Sequence, residues 1–174
     1  MDWQNNFKDI IKQAQKGNEE AFSQIIQNTQ KKFFGFCMYL CGDMHLAQDV
    51  CQDVYIKAIE HLKDFENETK LYNWLFKTAK NHYIDFTRNH QNKPYIDLED
   101  ISDDEGNALG TCEGKLELIE ILQKIDPKYR IALILVDNEG YTYKEASEII
   151  GLTEDALRSR LHKARKFFIE NIKK

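Results

Sequence analysis

Proline is rare in this sequence, and the alternation of apolar and polar residues that marks β-strands is missing. Two prolines occur among 174 residues, while apolar side chains recur with the 3.6-residue spacing of amphipathic α-helices. Proline inside a helix removes a hydrogen bond and clashes with the preceding turn, so its scarcity leaves long helices possible. We therefore predict an all-α protein.

Cysteine is also scarce, and its spacing argues against a disulfide-rich module. Cys37, Cys41, Cys51 and Cys112 form no CxxC pair and no regular framework. Cys37, Cys41 and His45 stand four residues apart, but helical cysteines are far more often small core residues than metal ligands. We expect no metal site and no cofactor.

Long apolar runs are absent as well. No stretch of 18 consecutive apolar residues occurs, and the first residues, MDWQNNFKDIIKQ, lack the cationic and then apolar pattern of a signal peptide. These absences argue against a membrane-spanning helix and against export. We expect a cytoplasmic protein without membrane insertion.

The sequence also lacks the motifs by which common enzyme classes are recognised. His45, His61, His82 and His90 are scattered, and no HExxH, glycine-rich phosphate loop or nucleophile elbow occurs. The carboxylates form no isolated pair in an apolar setting. We therefore do not expect an enzyme.

Basic charge is not in excess overall, because the net charge is −5, but its distribution is uneven. Residues 1–96 are neutral in sum, residues 97–126 carry −8, and residues 127–174 carry +3. Ala156–Lys174 alone holds seven basic side chains and one Glu. A basic surface confined to one helix is typical of a DNA-binding element, whereas a solvated face usually mixes both signs.

Four helices are predicted in the first half of the chain. The second runs from Glu19 to Gly42, Asp43 caps the third, and Thr69 caps the fourth. Each helix carries an apolar stripe that can face a common core. We assign residues 1–90 to this first helical domain.

The apolar rhythm disappears between residues 91 and 113, where IDLEDISDDEGNALGTCEG is strongly acidic. This composition is typical of a flexible linker, because it offers little apolar surface to bury. A second, smaller helical domain is predicted over residues 114–174. Within it, Asp126 is suited to cap a helix that begins at Pro127.

A helix-turn-helix is predicted inside the second domain. Thr142 and Glu145 have the spacing of a capping box, Gly151 can adopt the left-handed backbone of a sharp turn, and Thr153 can cap the following helix. Ser147, four residues before the glycine, is small enough for close crossing of the two helices. A charged hairpin within a helical bundle is the alternative, but it would not require a one-sided basic helix.

The second helix of this element has one apolar and one basic side. The apolar side consists of Leu157, Leu161, Ala164 and Phe168. The opposite side carries Asp155, Arg158, Ser159, His162, Arg165 and Lys166. Arg158 is suited to a bidentate contact with guanine, while Arg160 and Lys163, at the flanks, are suited to phosphate contacts.

Two long segments resemble bacterial sigma factors of the sigma-70 family. KIDPKYRIALILVDNEGYTYKEASEIIGLTEDALRSRLHKARKFF resembles their region 4. GNEEAFSQIIQNTQKKFFGFCMYLCGDMHLAQDVCQDVYIKAIEHLKDF resembles region 2, and YNWLFKTAKNHYIDFTRNH resembles the DNA-facing continuation of region 2. Because no further domain separates the two regions, the chain is similar to the extracytoplasmic-function (ECF) group.

The resemblance implies a specificity subunit that binds core RNA polymerase, directs it to a promoter and helps to open the DNA. Asp49, Gln52 and Asp53 match the D-x-x-Q-[ED] pattern by which the family's third helix meets the clamp helices of the largest polymerase subunit. Ile56 is included in this candidate surface. Without the resemblance, the three polar residues would simply lie on the solvent face of an amphipathic helix.

The resemblance also implies that the segment after the third helix holds the −10 promoter element as single strand, with one base turned out of the stack. Trapping a base requires a stacking surface, hydrogen-bonding groups and cations. The matching residues are Phe65, Asn67, Tyr72, Trp74, Lys77, Lys80, Asn81 and Arg88. For Trp74, a core position and a DNA contact are equally compatible with the sequence.

By the same resemblance, the helix-turn-helix reads the −35 promoter element as duplex. The residues that we expect to contact it are Thr153, Asp155, Arg158, Ser159, His162, Lys163 and Arg165. The family also favours an anti-sigma factor as a partner, which nothing in the sequence identifies. A conventional operator-binding regulator explains the helix-turn-helix equally well, but it leaves the match at Asp49, Gln52 and Asp53 as a coincidence.

Overall fold

The computed structural model describes residues 3–90 and 113–172, and within these ranges the chain folds into helices without a β-strand. The helices are α1 (Trp3–Gln15), α2 (Glu19–Cys41), α3 (Met44–Glu60), α4 (Glu68–Asn89), α5 (Glu113–Lys124), α6 (Pro127–Leu133), α7 (Tyr143–Ile150) and α8 (Glu154–Ile172). A 3₁₀ turn, Leu62–Asp64, follows α3, and a π-helical turn, Ile134–Asn138, continues α6. The predicted all-α class is confirmed. None of the helices in the described ranges combines the length and apolar character that a membrane span requires.

The predicted linker, residues 91–113, lies outside the described residues apart from Glu113, which already begins α5. Other helix ends lie where local signals predict them. Asp43 caps α3 by accepting a hydrogen bond from the Leu46 N–H at 2.7 Å, and Gly42 ends α2 with a φ of 70°. These caps satisfy backbone groups that a helix end would otherwise leave without partners.

The start of α4 differs from the prediction. Asn67 is its N-cap, because the Asn67 Oδ1 accepts a hydrogen bond from the Lys70 N–H at 2.9 Å. The helix begins at Glu68, so Thr69 lies inside the first turn. A capping side chain must precede the first helical residue, and Asn is at least as effective a cap as Thr. The predicted Thr69 cap was therefore wrong by two residues.

The first four helices enclose an aromatic core. Phe36 of α2 and Phe76 of α4 stack with ring centroids 4.3 Å apart, and Phe33 lies against Phe76 at 6.3 Å. Cys37 and Cys41 are buried in the same core, and burial raises the pKa of both thiols. Their environment is that of small packing residues.

The helix-turn-helix forms as predicted. The Thr142 N–H donates to the Glu145 carboxylate at 2.9 Å, and the Glu145 N–H donates to the Thr142 hydroxyl at 3.2 Å. Gly151 ends α7 with a φ of 83°, and the Thr153 hydroxyl caps α8. The buried side of α8 consists of Leu157, Leu161 and Ala164, with Phe168 half-buried beside them.

The two helical domains pack directly against each other. α2 contacts α5 and α6, and α4 contacts α7. Buried apolar side chains from both domains belong to one continuous cluster, in which the rings of Phe76 and Tyr141 meet edge-on at 5.9 Å. The helix-turn-helix is therefore held beside α4 in this structure.

Candidate functional site

The solvent face of α3 presents the predicted polymerase-binding residues together. Asp49 and Gln52 are exposed, and Ile56 lies on the same face with 55% of its surface accessible. The opposite, buried face of the helix consists of Ala47, Val50, Val54 and Ala58. Helical spacing therefore gathers polar residues and one large apolar residue into a single surface.

Two features of this α3 surface were not anticipated from the sequence. The Asp53 Oδ2 lies 3.5 Å from the Nε2 of His82, so this predicted residue also contacts α4. Ile59, close to Ile56 on the helix, is 50% exposed. Apolar side chains bordered by polar ones are common at protein interfaces. The sequence signal for Ile59 is an isoleucine that falls outside the buried stripe of α3.

The segment before α4 does not present its aromatic ring to solvent. Phe65 is 3% exposed and packs edge-on against Trp74, with ring centroids 5.5 Å apart. The predicted stacking of a base on Phe65 is not supported, because its ring is enclosed by the core. Trp74 is half-buried and also contacts the ring of His61 at 5.1 Å. Trp74 thus combines a packing role with a partly accessible ring.

The predicted −10 residues of α4 lie on two different faces. Lys77, Asn81 and Arg88 are exposed and form a stripe along the helix, which we call the α4 stripe. Tyr72 and Lys80 instead face the second domain, where they are 7% and 8% exposed. Burial raises the pKa of Tyr72 to about 12. The predicted DNA contacts of Tyr72 and Lys80 are therefore not supported in this arrangement, because protein fills the space beside them.

Two asparagines precede Trp74 in the sequence. Asn67 is exposed, but its Oδ1 already accepts the capping hydrogen bond. The Oδ1 of Asn73 is buried and has no hydrogen-bond partner among the described residues. A buried acceptor without a partner is uncommon in proteins. Asn73 is therefore a further candidate for contact with a ligand, and no sequence signal beyond its position on α4 distinguishes it.

The outward face of α8 presents most of the predicted −35 residues. The exposed side chains on this helix and at its cap include Thr153, Asp155, Arg158, Ser159, His162 and Lys163. The Arg158 guanidinium lies 5.3 Å from the centre of the Tyr143 ring. Such a cation–π contact orients the arginine without neutralising its charge.

Arg165 is engaged inside the second domain. Its Nε and Nη2 donate to the two carboxylate oxygens of Asp137 at 2.9 Å and 2.6 Å, and its Nη1 donates to the Tyr143 hydroxyl at 3.4 Å. Hydrogen bonding to Asp137 raises the pKa of Arg165. This pair joins α8 to the π-helical turn after α6. Three of the five guanidinium donors are therefore engaged within the domain, and the DNA contact of Arg165 stays a prediction.

The family models agree with this division into two helical domains. The chain matches Sigma-70 region 2 over residues 25–93 and Sigma-70, region 4 over residues 115–168. It is 30% identical over 149 residues to the ECF RNA polymerase sigma factor SigM of Bacillus subtilis. The aligned residues cover 83% of this chain and 91% of that protein. The chain belongs to the ECF group of RNA polymerase sigma factors.

Other sigma factors are similar over nearly the full length. The ECF sigma factor SigW of Bacillus subtilis is 28% identical over 173 residues, which is 91% of this chain and 92% of that protein. The sigma factor RpoE, solved with the anti-sigma factor NepR from Bartonella quintana, matches with a TM-score of 0.69 and 24% identity over 87% of this chain and 96% of that chain. CnrH, solved with the cytosolic domain of CnrY, matches with a TM-score of 0.68 and 21% identity over 95% of this chain and 96% of that chain. At these identities the two structures show a shared fold.

Membership of this group confirms the predicted family and gives the chain a role in transcription initiation as a sigma factor. Sigma factors are non-enzymatic subunits of RNA polymerase, so the prediction that the chain is not an enzyme is confirmed as well. Within residues 3–90 and 113–172, no three His, Cys, Asp or Glu side chains come together in a group that could hold a metal ion.

Proposed function

We propose that this sigma factor binds core RNA polymerase through α3 and grips a promoter with two separate surfaces, one on each domain. The observation that carries the proposal is that α3, α4 and α8 each expose a different surface of suitable chemistry on one chain of the ECF group. Residues 1–90 form the domain that binds core polymerase and the −10 element. Residues 114–174 form the domain that binds the −35 element. We expect the chain to act on core polymerase in the cytoplasm.

The α3 surface is suited to the clamp helices of the largest polymerase subunit. Asp49, Gln52 and Asp53 supply directional polar contacts, while Ile56 and Ile59 supply apolar area that is removed from water on binding. Removal of one partner from a buried polar contact leaves the other unpaired, so the polar residues are expected to contribute to affinity as well as to orientation.

The α4 stripe and its neighbours are suited to the −10 element as a single strand. Lys77 and Arg88 can follow the phosphate backbone, and Asn81 can form hydrogen bonds with base edges. Trp74 offers a partly accessible ring for stacking, and the exposed Asn67 stands at the start of the same helix. Because these groups favour the unpaired strand, their binding would promote melting of the −10 element.

The α8 face is suited to duplex DNA in the −35 element. A helix of this kind enters the major groove and contacts base edges with its N-terminal residues. Arg158 can donate two hydrogen bonds to guanine, and Ser159 and His162 lie on the same exposed face. Lys163 is suited to a phosphate contact, which fixes register without reading sequence.

Regulation by an anti-sigma factor is part of the proposal. The support is that RpoE, whose fold the chain shares, was solved in complex with the anti-sigma factor NepR. CnrH was likewise solved with the cytosolic domain of CnrY. A partner of this kind would be expected to compete with core polymerase for the chain.

A reconstitution experiment tests the proposal. The purified chain is mixed with core RNA polymerase and a promoter library, and binding, DNA opening and transcript formation are measured. We expect core-dependent initiation, and we expect Asp49→Ala with Gln52→Ala to weaken core binding at least tenfold. Asp9→Ala with Gln27→Ala provides the matched control, since these are the same side chains exposed on α1 and α2. Tight duplex binding without polymerase and no effect on initiation would instead identify an operator-binding regulator.

A further inference from the structure

Tyr143, the first residue of α7, contacts two arginines of α8. The Arg158 guanidinium lies over its ring, with the Cζ 5.3 Å from the ring centre, and its hydroxyl accepts a hydrogen bond from the Arg165 Nη1 at 3.4 Å. Residues seven positions apart share one side of a helix and are separated by about 10 Å along its axis. One side chain of α7 therefore contacts α8 at two successive levels.

The hydroxyl end of Tyr143 is held by an ion pair. Arg165 donates to both carboxylate oxygens of Asp137, which belongs to the π-helical turn after α6. Ile134 and Leu135 of this turn are buried in the core, so the position of Asp137 is well defined. A bidentate pair of arginine and carboxylate has a restricted geometry. Arg165 therefore presents its Nη1 donor to Tyr143 from a fixed position.

The backbone of Tyr143 is fixed as well. The capping box formed by Thr142 and Glu145 determines that α7 begins at Tyr143. The Tyr143 side chain is half-buried and packs against the core of the domain. Both ends of this residue are thus restrained before any DNA is bound.

Arg158 has a different kind of partner from Arg165. Its side chain is exposed, and no carboxylate within residues 3–90 and 113–172 forms an ion pair with it. A carboxylate would orient the guanidinium, but it would also occupy its donors and offset its charge. An aromatic ring attracts a cation through its face and leaves the N–H donors available. Tyr143 is therefore a suitable partner for an arginine that has yet to bind a base.

Restraint of Arg158 bears on discrimination between base pairs. A long arginine side chain loses conformational freedom when it forms two hydrogen bonds with guanine, and this loss opposes binding. Partial ordering of the side chain before binding reduces the loss. The benefit arises only at base pairs where Arg158 forms the bidentate contact, because elsewhere its side chain can stay loosely held. Ordering therefore increases discrimination more than it increases affinity for DNA in general.

We propose that Tyr143 is a positioning residue for recognition of the −35 element. Its ring holds the Arg158 guanidinium in place for guanine, and Arg165 with Asp137 holds the ring. The inference rests on the −35 reading by α8 proposed above, and it gives a role in specificity to a residue outside the recognition helix. Tyr143 acts through Arg158 and needs no DNA contact of its own.

Competition binding of the polymerase complex tests this role with promoters that differ by single base pairs in the −35 element. Tyr143→Leu removes the ring and should lower discrimination about threefold at the base pairs read by Arg158. Tyr143→Phe keeps the ring and should retain more discrimination than Tyr143→Leu. In an Arg158→Ala background, Tyr143→Leu should cause no further loss, because both changes act on one contact.

Tyr129→Leu is the matched control. Tyr129 is a half-buried tyrosine of α6 in the same domain, and its ring centre lies 4.9 Å from the Lys128 Nζ. Its replacement should leave −35 discrimination unchanged, even where it lowers the thermal midpoint as much as Tyr143→Leu does.

Three results would overturn the positioning role of Tyr143. The first is an equal loss at every base pair for Tyr143→Leu, and the second is a loss that persists in the Arg158→Ala background. The third is equal discrimination by Tyr143→Phe and Tyr143→Leu, because the ring would then have no role.

Side-chain NMR of the free, full-length chain tests the contact without polymerase or DNA. We expect the ring to shift the Arg158 Hδ protons upfield in the wild type and in Tyr143→Phe. Tyr143→Leu should lose this shift and lower the order parameter of the Arg158 Nε–Hε bond. Equal order parameters in the wild type and Tyr143→Leu would overturn the positioning of Arg158.

The two measurements together separate this inference from the proposed function. If Arg158→Ala loses discrimination while Tyr143→Leu does not, the −35 function stands and the positioning role is rejected. If NMR shows a restrained Arg158 but Arg158→Ala loses no discrimination, the proposed −35 reading by Arg158 is rejected. The role of Tyr143 in recognition is then rejected with it, although the contact itself remains.

Discussion

Arg158 and Arg165 lie seven residues apart on α8, yet their side chains have different environments. Arg158 is exposed and rests on the Tyr143 ring, whereas Arg165 forms a bidentate ion pair with Asp137. A planar guanidinium held by a carboxylate has few donors left for DNA. Arg158 is therefore the arginine that we expect to read a base pair, and Arg165 is expected to stabilise the second domain.

Replacement of Arg158 by Ala should lose discrimination at one or two base pairs of the −35 element. A bidentate contact to guanine contributes about 1–3 kcal/mol of discrimination, which is a loss of roughly tenfold or more at those positions. Competition binding of the polymerase complex to promoters with single base-pair changes measures this loss. Lys163→Ala is the comparison variant, and it should weaken all sequences equally and reduce the salt dependence. An even loss across all promoters for Arg158→Ala would show that Arg158 holds phosphate.

At the scale of the helix, α4 has a local start and faces that are set by packing. The Asn67 side chain caps the helix, which begins at Glu68. Burial of Leu75 and Ala79 in the core leaves Lys77 and Asn81, four residues apart, on the exposed side.

Replacement of Asn67 by Ala should lower the free energy of unfolding by about 1 kcal/mol, because the Lys70 N–H loses its acceptor. Thr69→Ala is the matched control, since Thr69 lies inside the first turn and its replacement should change stability by less than about 0.5 kcal/mol. Urea unfolding followed by circular dichroism measures both values. A larger loss for Thr69→Ala than for Asn67→Ala would assign the cap to Thr69 and contradict the structure.

At the scale of the whole molecule, charged groups meet where the two domains touch. The Glu139 side chain is 7% exposed and lies 3.9 Å from the Lys32 Nζ of α2. Other titratable groups that line this junction are Glu68, Tyr72, Tyr141 and Glu145. Burial raises the pKa of Glu139, and Lys32 offsets only part of the effect. The junction therefore makes ionisation of Glu139 less favourable than it is in water.

Acidification should stabilise the packing of the two helical domains against each other. Because the pKa of Glu139 is raised where the domains meet, the charged carboxylate destabilises this packing at neutral pH. This penalty disappears as the pH falls through the raised pKa toward the ordinary value of 4.5, and Glu139 causes no further change below it. The thermal midpoint at pH 7 and at the ordinary carboxyl pKa of 4.5 measures the effect. Glu139→Gln should remove this part of the pH dependence, and an identical pH profile for the wild type and the variant would contradict the prediction.

The sequence by itself determined the all-α fold, most helix ends, the helix-turn-helix and the family. These features depend on residues that are close in the chain: the capping box joins Thr142 to Glu145, and a helical face repeats every three or four residues. The proposed α3 surface could also be predicted, because its residues share one helix and match one motif. Local hydrogen bonds and helical periodicity can be predicted from the sequence without knowing which helices pack together.

Only the tertiary structure decided which candidate residues are accessible. Phe65 and Tyr72 are aromatic in a segment expected to bind DNA, but their environment is set by core and interdomain packing. The partner of Arg165 is 28 residues away, and the Leu40 carbonyl that accepts from Arg130 is 90 residues away. A side chain's type states what bonds it can form, but its partner depends on how distant helices meet. Arginine and lysine are usually surface residues. Here the packing of the two domains buries Arg130 at the C-terminal end of α2 and Lys80 at the C-terminal end of α7.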